Sequence, residues 1–386
     1  MIITTLLWLI CIAFSLPVLV LAAECLAGAF SSSRTTTADQ APPVSVLVPA
    51  HNEASGIART VTDVLAQLRP GDELIVVADN CCDDTAAIAA RLGARVVARQ
   101  DAQRRGKGYA LEFGRAHIAS GPERMVVVLD ADCSPGPEAI HCIAATAAKR
   151  HAIVQGAYLL SPSAEAGARV RMSCFAFLIK NLVRQIALRR LAGSALLQGS
   201  GMAFPYPIFA QVDLRPRSLV EDLELGLELI LQGHPVWFED AALFVSEASS
   251  EQATVGQRRR WEHGTLLAMG RFVPRLLRAG VRGRPRLLLV ALDQLVPPAA
   301  LLVAATASLA LMLILLAGPA APVMFLLAAL LLLGGGLAIA WLRHGRELVP
   351  LILLGNAVFY LAWKLPIALQ FLTRRERNWI RTDRGP

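Results

Sequence analysis

Uncharged apolar stretches near both ends of the chain most strongly constrain its fold. Residues 1–23 carry no charged side chain, and as a helix rising about 1.5 Å per residue they would cross a hydrocarbon core of about 30 Å. A second apolar block runs from Leu287 to Leu342, and the pairs Pro297-Pro298 and Gly318-Pro319 interrupt it. This block predicts an approach helix and two spans near 300–317 and 322–342. With 55% hydrophobic residues, the chain is too apolar for a purely soluble protein.

Two of the apolar stretches leave alternatives open. For the first, the alternative is a signal peptide cleaved near Ala22, but the run is long and no Lys or Arg precedes it, which favours a retained anchor. A third stretch, residues 348–372, contains Lys364 and is expected either to span the membrane or to lie in its interface. The basic tail at 373–386 should remain inside the cell, which favours the interfacial alternative.

The positive charge of the chain is concentrated beside the second apolar block. The net charge is +8, yet nine arginines lie between Arg258 and Arg286, with Glu262 as the one acidic residue among them. By the positive-inside rule, the polar middle of the chain is expected in the cytoplasm. Nucleic acid is not expected as a partner, since lysine is scarce and no groove-reading motif accompanies the arginines. The seven cysteines include no C-x-x-C spacing, which predicts reduced thiols.

The polar middle alternates buried strands with amphipathic helices. Apolar runs at 44–50, 73–79, 95–99 and 125–132 are each followed by a stretch with helical periodicity. This alternation predicts a parallel sheet covered on both faces, with ligands at the carboxyl ends of its strands. The residues that directly follow the strands are therefore the first candidates for a functional site.

Acidic residues stand at three of these predicted strand ends. Glu53 follows the first strand, Asp79 ends the second, and Asp130 and Asp132 end the fourth. No G-x-G-x-x-G or P-loop motif occurs, so a dinucleotide or P-loop site has no support. Two carboxylates at alternate positions suit Mg²⁺ or Mn²⁺. A simple turn or helix cap is the alternative for an isolated Asp-x-Asp.

Seven motifs occur in order over about residues 44–261: PAHNE, VVADNCCDDT, GKGYAL, DAD, QGSG, VEDLELG and QRRRW. Together they resemble the membrane-bound family 2 glycosyltransferases, which include cellulose, chitin and hyaluronan synthases, ceramide glucosyltransferase and many bacterial exopolysaccharide enzymes. The resemblance implies an α/β GT-A fold, with a Rossmann-like, mostly parallel sheet in a cytosolic domain flanked by transmembrane helices. It also implies a UDP-sugar donor, a divalent metal and inversion at the anomeric carbon.

The resemblance assigns roles to individual side chains. It implies uridine contacts for Glu53 and Asp79, a place near the nucleotide for Lys107, and metal and diphosphate contacts for Asp130 and Asp132. Asp222 would be the catalytic base, and we expect the dipole of the helix that it opens to keep it ionised. A helix cap is its alternative role. The remaining residues are assigned to the pyrophosphate and acceptor: Gly199, Ser200, Gly201, Glu221, Gln257, Arg260 and Trp261.

Some assignments depart from the family pattern or have simpler alternatives. Ala78 replaces the first acid of a frequent acidic pair, and Asn80-Cys81 replaces Gly-Ser, so Asp79 is preferred over any second uridine contact. The glycines of QGSG could line an acceptor path or only permit close backbone approach. The QRRRW motif could equally be part of the basic belt beside the membrane.

These patterns predict five segments: an anchor at 1–27, a linker at 28–43, a GT-A domain at 44–285, a membrane region at 286–372 and a basic tail at 373–386. The predicted function is transfer of a sugar from a UDP-sugar to a membrane-associated acceptor that is lipid-linked, polyprenyl-linked or a saccharide, in cell-envelope or exopolysaccharide synthesis. The protein is expected to be multi-pass in the bacterial inner membrane, with membrane lipids and polysaccharide-assembly proteins as further partners. Processive polysaccharide synthesis is the alternative within the class, and the few spans favour single transfer. Alternatives from other classes are a silent nucleotide-sugar-binding scaffold and an adaptor for anionic lipid.

Overall fold

The computed structural model describes residues 2–30, 41–215, 218–249 and 251–373. Most of the predicted linker and the tail from residue 374 onward lie outside the described residues. The chain divides into two compact units, each assembled from separated segments. The sheet unit contains residues 41–161 and 194–248, and the helical unit contains residues 2–30, 162–193 and 249–373. Residues 162–193 and 249–285, which fall inside the predicted 44–285 domain, thus belong to the helical unit.

The sheet unit is built on one eight-stranded sheet in the order β3-β2-β1-β4-β7-β6-β8-β5. Strands β1 to β4 run parallel, as predicted, whereas β7 is antiparallel to both β4 and β6, and β5 is antiparallel to β8. The fold is therefore mixed α/β. Strands β1 to β4 form the parallel half of the sheet, and the other half contains antiparallel pairs. The strands are β1 Val44–Ala50, β2 Glu73–Asp79, β3 Arg95–Arg99, β4 Met125–Val128, β5 Cys133–Pro135, β6 Ile153–Ser161, β7 Met202–Pro205 and β8 Val236–Glu247.

The fourth strand is shorter than the predicted 125–132. Leu129 still donates its backbone N–H to Leu47, but Cys133 donates to the carbonyl of Asp130 and so closes a turn. This turn takes Asp130 and Asp132 out of the strand. The two acids consequently lie on a loop at the sheet edge rather than in the strand itself.

Amphipathic helices cover the sheet because their apolar residues recur at helical spacing. Ile57, Val61 and Val64 of the first of these helices are fully buried. The largest buried side chains of the sheet unit include Leu47, Phe204 and Phe244. Its helices are α2 Ile57–Leu65, α3 Thr85–Arg91, α4 Lys107–Arg115, α5 Ala139–Arg150, α8 Tyr206–Phe209 and α9 Glu221–Gln232.

The helical unit contains the apolar segments. Three of its helices are long and apolar enough to cross a membrane, at Ile2–Gly28, Ala299–Leu316 and Ala321–Gly345, whereas the apolar helix Leu351–Lys364 is shorter. Its helices are α1 Ile2–Gly28, α6 Ala168–Leu178, α7 Arg184–Ala192, α10 Glu251–Val281, α11 Arg286–Gln294, α12 Ala299–Ala317, α13 Ala321–Ala340 and α14 Ala357–Thr373. A π-helical turn, Ile179–Val183, joins α6 to α7.

Small and branched apolar residues pack the candidate spans together. Cys11 of α1, Ala310 and Leu313 of α12, and Val323 and Leu326 of α13 form one buried cluster. All seven cysteines of the chain are free thiols, as predicted.

Candidate active site

One lysine of the sheet unit lies between two predicted functional acids. The Nζ of Lys107, at the start of α4, lies 2.7 Å from Asp130 Oδ1 and 3.7 Å from Asp222 Oδ1. The same Nζ donates a hydrogen bond of 2.6 Å to the carbonyl of Gly199. The structure therefore brings together the residues predicted as metal ligand, base and nucleotide contact, although they are widely separated in sequence.

The backbone of the QGSG loop lies so close to the Asp222 carboxylate that a side chain at Gly199 would collide with it. Gly199 has a φ of +96°, and a Cβ built on it would lie 2.5 Å from Asp222 Oδ2 and 3.3 Å from Lys107 Nζ. The fully buried Ser200 accepts a hydrogen bond at its Oγ from the backbone N–H of Asp130. Gly201 also has a positive φ and packs against Phe244. Close backbone approach thus accounts for both glycines, and a role in an acceptor path stays a prediction.

Gln155 of β6 holds this loop in place, and the sequence patterns gave no sign of it. Its Nε2 donates to the carbonyl of Ser200 at 2.8 Å, and its Oε1 accepts from the backbone N–H of Gln198 at 2.9 Å. Gln155 is fully buried. A buried amide that bridges a loop in this way fixes its conformation.

Asp222 lies in the first turn of α9 but does not cap the helix. The N-cap position belongs to Val220, and no side chain caps it. Burial and the neighbouring Asp130 raise the pKa of Asp222, while Lys107 acts in the opposite direction. The helix dipole is therefore not the only influence on Asp222, because burial disfavours its charged form and the ammonium of Lys107 favours it. That Asp222 is ionised stays a prediction.

Neighbouring carboxylates determine the pKa of Lys107. Burial alone would lower the pKa of Lys107, but the charges of Asp130 and Asp222 outweigh burial and raise it. The lysine is thus a permanent cation of the site. Its side chain is 18% exposed, so solvent or a ligand reaches it from one side.

Asp130 and Asp132 fit a divalent ion only if a substrate completes the coordination. Among the described residues, no group of three or more His, Cys, Asp or Glu side chains is arranged to hold a metal. Mg²⁺ commonly takes one or two protein carboxylates together with phosphate oxygens. Two carboxylates beside a nucleoside diphosphate would therefore meet its needs.

At the predicted nucleoside end of the sheet, Asp79 already has a partner. Its Oδ1 lies 2.5 Å from Nη1 of Arg99, and both side chains are largely buried. Arg99 also contacts Asp101 and lies 5.8 Å from the ring centroid of Tyr109. Arg99 was not among the predicted site residues, and the signal for it in the sequence is an arginine at the end of the edge strand β3.

Two asparagines with left-handed backbone link the segments that follow β1, β2 and β3. Asn52 has a φ of 55°, and its Oδ1 accepts from the backbone N–H of Cys82 at 2.8 Å. Asn80 has a φ of 52°, and its Oδ1 accepts from the backbone N–H of Asp101. Asparagine tolerates this conformation better than most residues. Glu53 is fixed in the same region, since its N–H donates to Thr85 Oγ1.

The residues predicted from QRRRW lie on α10 in the helical unit. Gln257 accepts a hydrogen bond from Ser249, and the ring of Trp261 lies 5.5 Å from that of Phe177. Arg258 packs over both rings, 4.9 Å from the Trp261 centroid and 5.4 Å from that of Phe177. Arg260 is half-buried. Within its unit, the motif forms a cationic and aromatic cluster.

Comparisons with known proteins agree with this fold. The family model described as "Glycosyltransferase like family 2" matches residues 42–264. The Probable glycosyltransferase YdaM of Bacillus subtilis (strain 168) is 25% identical over 248 residues, which are 60% of this chain and 57% of that protein. This chain thus spans less than two thirds of that relative's length.

One solved structure shows the same fold at low identity, and a second is similar over a smaller part of the chain. The mannosyltransferase PcManGT from Pyrobaculum calidifontis, in complex with GDP-Man and Mn²⁺, covers 96% of this chain and 100% of its own, with a TM-score of 0.57 and 19% identity. Glucosyl-3-phosphoglycerate synthase from Mycobacterium tuberculosis, with Mn²⁺, UDP and phosphoglyceric acid, covers 60% of this chain and 82% of its own, at 22% identity and a TM-score of 0.42. The predicted GT-A-like fold class is therefore confirmed, and since the family model covers more than half of the chain, the protein belongs to the glycosyltransferase-like family 2.

Proposed function

We propose that this protein is a metal-dependent, inverting glycosyltransferase that moves a sugar from a UDP-sugar to a lipid-linked or polyprenyl-linked acceptor at the cell membrane. The observation that carries this proposal is the placement of Lys107 between Asp130 and Asp222. It brings a cation for a diphosphate close to a carboxylate for proton transfer. Membership of the glycosyltransferase-like family 2 supports the same chemistry.

Asp222 is the proposed general base. Its carboxylate accepts the proton of the acceptor hydroxyl as the hydroxyl oxygen bonds to the anomeric carbon, while the bond from that carbon to the diphosphate breaks. Its raised pKa makes it a stronger base than an ordinary aspartate, provided that the Lys107 cation keeps it ionised before the acceptor binds. Attack from the face opposite the leaving group inverts the anomeric carbon.

The leaving UDP carries negative charge that the site must stabilise. Lys107 provides one fixed cation. A divalent ion held by Asp130 and Asp132 would supply further charge neutralisation when it is bound with the donor. Glu53 and Asp79 are proposed to contact the uridine, with Arg99 holding the Asp79 carboxylate in position. Gln257, Arg260 and Trp261, with Glu221, are proposed to serve the pyrophosphate and the acceptor.

The membrane placement of the acceptor rests on the helical unit. Three helices of sufficient length and hydropathy are expected to anchor the protein in the membrane, with the sheet unit in the cytoplasm. The described residues contain three candidate spans, a small number that favours single transfer over processive synthesis with translocation. A gel that resolves product length distinguishes a single added sugar from a polymer.

The decisive experiment is a donor screen scored by UDP release, using protein in detergent with Mn²⁺ and a membrane lipid extract as acceptor. Asp222→Asn should lower turnover by about 10²–10⁴-fold because the base is lost, while UDP binding is retained. Asp63→Asn, at a half-buried aspartate on α2, is the matched control and should leave turnover unchanged.

Two outcomes would contradict the proposal. Full turnover by the Asp222→Asn protein would remove Asp222 as the base. UDP binding without release from any nucleotide sugar by the unaltered protein would instead support the silent scaffold.

A further inference from the structure

The apolar helix α14 carries one charged side chain, that of Lys364, and no step of the proposed transfer uses it. A lysine in such a sequence commonly extends its ammonium to the lipid headgroups. The Lys364 side chain is instead 4% exposed, and its ammonium donates a hydrogen bond to the carboxylate of Glu262 on α10. The charge of this apolar helix is therefore directed into the helical unit, onto the residue that directly follows the QRRRW motif.

A second contact joins the same two helices. Nη1 of Arg259 donates a hydrogen bond of 3.4 Å to the amide Oε1 of Gln370 on α14. From Lys364 to Gln370 the chain advances along α14, whereas their partners step back along α10, so the two helices run in opposite directions where they meet. Arg259 and Glu262 are three residues apart, which places them on one side of α10. Helix α14 thus holds this side of α10 at two points.

A different side of α10 is held by α6. Arg258 and Trp261 are also three residues apart, and both contact Phe177 of α6. The guanidinium of Arg258 lies 5.4 Å from the Phe177 ring centroid, and the ring centroids of Trp261 and Phe177 are 5.5 Å apart. Nη2 of Arg258 also donates a hydrogen bond of 3.4 Å to the backbone carbonyl of Ser173. Helix α6 therefore fixes one pair of motif residues, and α14 fixes another pair.

These two sides determine where the rest of the motif points. Successive residues of an α-helix are separated by about 100° around its axis. Gln257 and Arg260, three residues apart, consequently share a third side of α10. A helix held on two sides cannot rotate about its axis without breaking contacts on both. The direction of Gln257 and Arg260 is thus set by the packing of α6 and α14 against α10.

Helix α14 is itself anchored against other parts of the helical unit. Tyr360, one turn before Lys364, is buried in a cluster with Met172 of α6. The guanidinium of Arg169, also on α6, lies 5.4 Å from the ring centroid of Trp363. Lys364 is therefore carried by a helix whose own place is fixed by aromatic contacts on both sides of it in the sequence.

The energetics of a buried ion pair favour a positioning role for Lys364 and Glu262. Such a pair contributes little to stability, because the loss of solvation offsets the attraction between the two charges. Either charge left alone in the interior is costly, so the pair disfavours arrangements that separate its members. Buried polar contacts of this kind select one register between packed helices in some assemblies. For Lys364 and Glu262, the arrangement selected is the rotation of α10.

We propose that Lys364 is a positioning residue for the QRRRW motif. Through Glu262 it fixes the rotation of α10, and thereby the direction in which Gln257 and Arg260 extend. The inference rests on the proposed function, in which Gln257, Arg260 and Trp261 serve the donor pyrophosphate and the acceptor. It deepens that function by making diphosphate binding depend on a lysine 102 residues away from its partner in the chain.

Nucleotide binding by the whole protein, in detergent with Mn²⁺, tests this inference with UDP and uridine as two probes. Lys364→Met should weaken UDP binding by about tenfold or more, because a rotated α10 no longer offers its charge-assisted hydrogen bonds to the pyrophosphate. Uridine lacks the phosphates, so it should bind with unchanged affinity and report that the sheet unit is intact. Lys149→Met, at an exposed lysine, is the control and should bind both probes as the unaltered protein does.

A double-mutant cycle shows whether the pair itself is responsible. Glu262→Gln should weaken UDP binding about as much as Lys364→Met does, and the protein with both substitutions should bind no more weakly than either. Exchanging the two residues, Glu262→Lys with Lys364→Glu, restores the pair and should recover part of the UDP affinity. The double variant and the exchanged pair leave no unpaired buried charge, so they keep the test valid even if Lys364→Met alone fails to fold.

The results separate this inference from the proposed function. Unchanged UDP affinity in the double variant would overturn the positioning role, as would equal losses of UDP and uridine affinity, which indicate a general structural role. If Arg260→Leu weakens UDP binding but Lys364→Met does not, only the positioning inference fails. If the Lys364 variants lose UDP affinity selectively but the unaltered protein releases UDP from no donor, the positioning role stands and the transferase proposal fails.

Discussion

Lys107 in the sheet unit and Arg184 in the helical unit each lie between two carboxylates, but they hold them differently. Arg184 forms contacts of nearly equal length, 2.7 and 2.8 Å, to carboxylates that are at most 5% exposed. Lys107 forms one short contact, of 2.7 Å, and one long contact, of 3.7 Å, to carboxylates that are 27% exposed. A planar guanidinium satisfied on two sides acts as a fixed clamp, whereas a lysine with unequal, solvent-reached contacts can exchange partners when a ligand arrives.

The largest effect is expected when the Lys107 cation is removed from between Asp130 and Asp222. Lys107→Met should reduce UDP release by about 10³-fold, because the diphosphate loses a fixed charge and Asp130 and Asp222 are left facing each other. Thermal stability should change little by comparison, since solvent reaches both acids. Lys149→Met serves as the control in both measurements, and a variant with normal turnover would show that Lys107 only fills space.

Removing the Arg184 cation from between Glu24 and Asp293 should instead lower the stability of the protein. Arg184→Leu leaves Glu24 and Asp293 buried without their cation, which is expected to cost about 3–5 kcal/mol. Thermal unfolding of the protein in detergent measures this loss. The exposed Arg59, which contacts Asp63 only at 3.9 Å, provides the control substitution Arg59→Leu. An unchanged midpoint for Arg184→Leu would mean that the clamp is not structural.

A substitution at Gly199 tests whether the positions of Asp222 and Lys107 depend on the backbone of the QGSG loop. Gly199→Ala should lower turnover by about 10–100-fold, because the new methyl group would displace the Asp222 carboxylate. Gly233→Ala is the matched control, since Gly233 has a similar φ of +102° but no atom within 4 Å of the added Cβ. Equal losses in the two variants would assign the effect to backbone strain instead of to Asp222.

The smallest expected effect concerns a hydrogen-bonded carboxylate far from both cations. Burial would raise the pKa of Asp72, but hydrogen bonds from His141 and from the backbone N–H groups of Arg69 and Val44 outweigh it and lower the pKa. The stability that Asp72 contributes is therefore present above the ordinary carboxyl pKa of about 3.9 and is lost as the pH falls through the lowered value.

Asp72→Asn should consequently cost about 1–2 kcal/mol near neutral pH and flatten the acid limb of a stability-versus-pH curve. Unfolding midpoints measured from pH 3 to pH 7 would test it. An unaltered acid limb in the variant would assign the acid sensitivity to other carboxylates.

The parts of this molecule that follow from local patterns were predictable from the sequence. Continuous apolar runs gave β1, β2 and β3 with their bounds, and the order of strands and helices placed Asp79 and Asp130 at one sheet edge. The apolar lengths of α1, α12 and α13 likewise predicted the candidate spans. Each of these features is encoded within a few turns or one strand of the chain.

Contacts between distant residues were not predictable in the same way. Glu24 and Arg184 are 160 residues apart, and nothing near either residue indicates the other. Arg99 and Gln155 depend on which strands become neighbours, and the antiparallel strands β5 and β7 carry weak patterns because they are only three and four residues long. The raised pKa of Asp222 arises from its three-dimensional surroundings, which a helix-position rule cannot describe.

The π-helical turn at Ile179–Val183 has a further consequence for how this chain tolerates length changes. A π-helical turn accommodates one residue more than an α-helical turn, so the faces of α6 and α7 are offset by about 100° from those of an uninterrupted helix. Deleting one residue here would preserve a helix yet rotate Arg184 away from Glu24 and Asp293. The extra residue therefore sets the rotation of α7 relative to α6. With this rotation, Phe177 faces α10 and Arg184 faces Glu24 of α1.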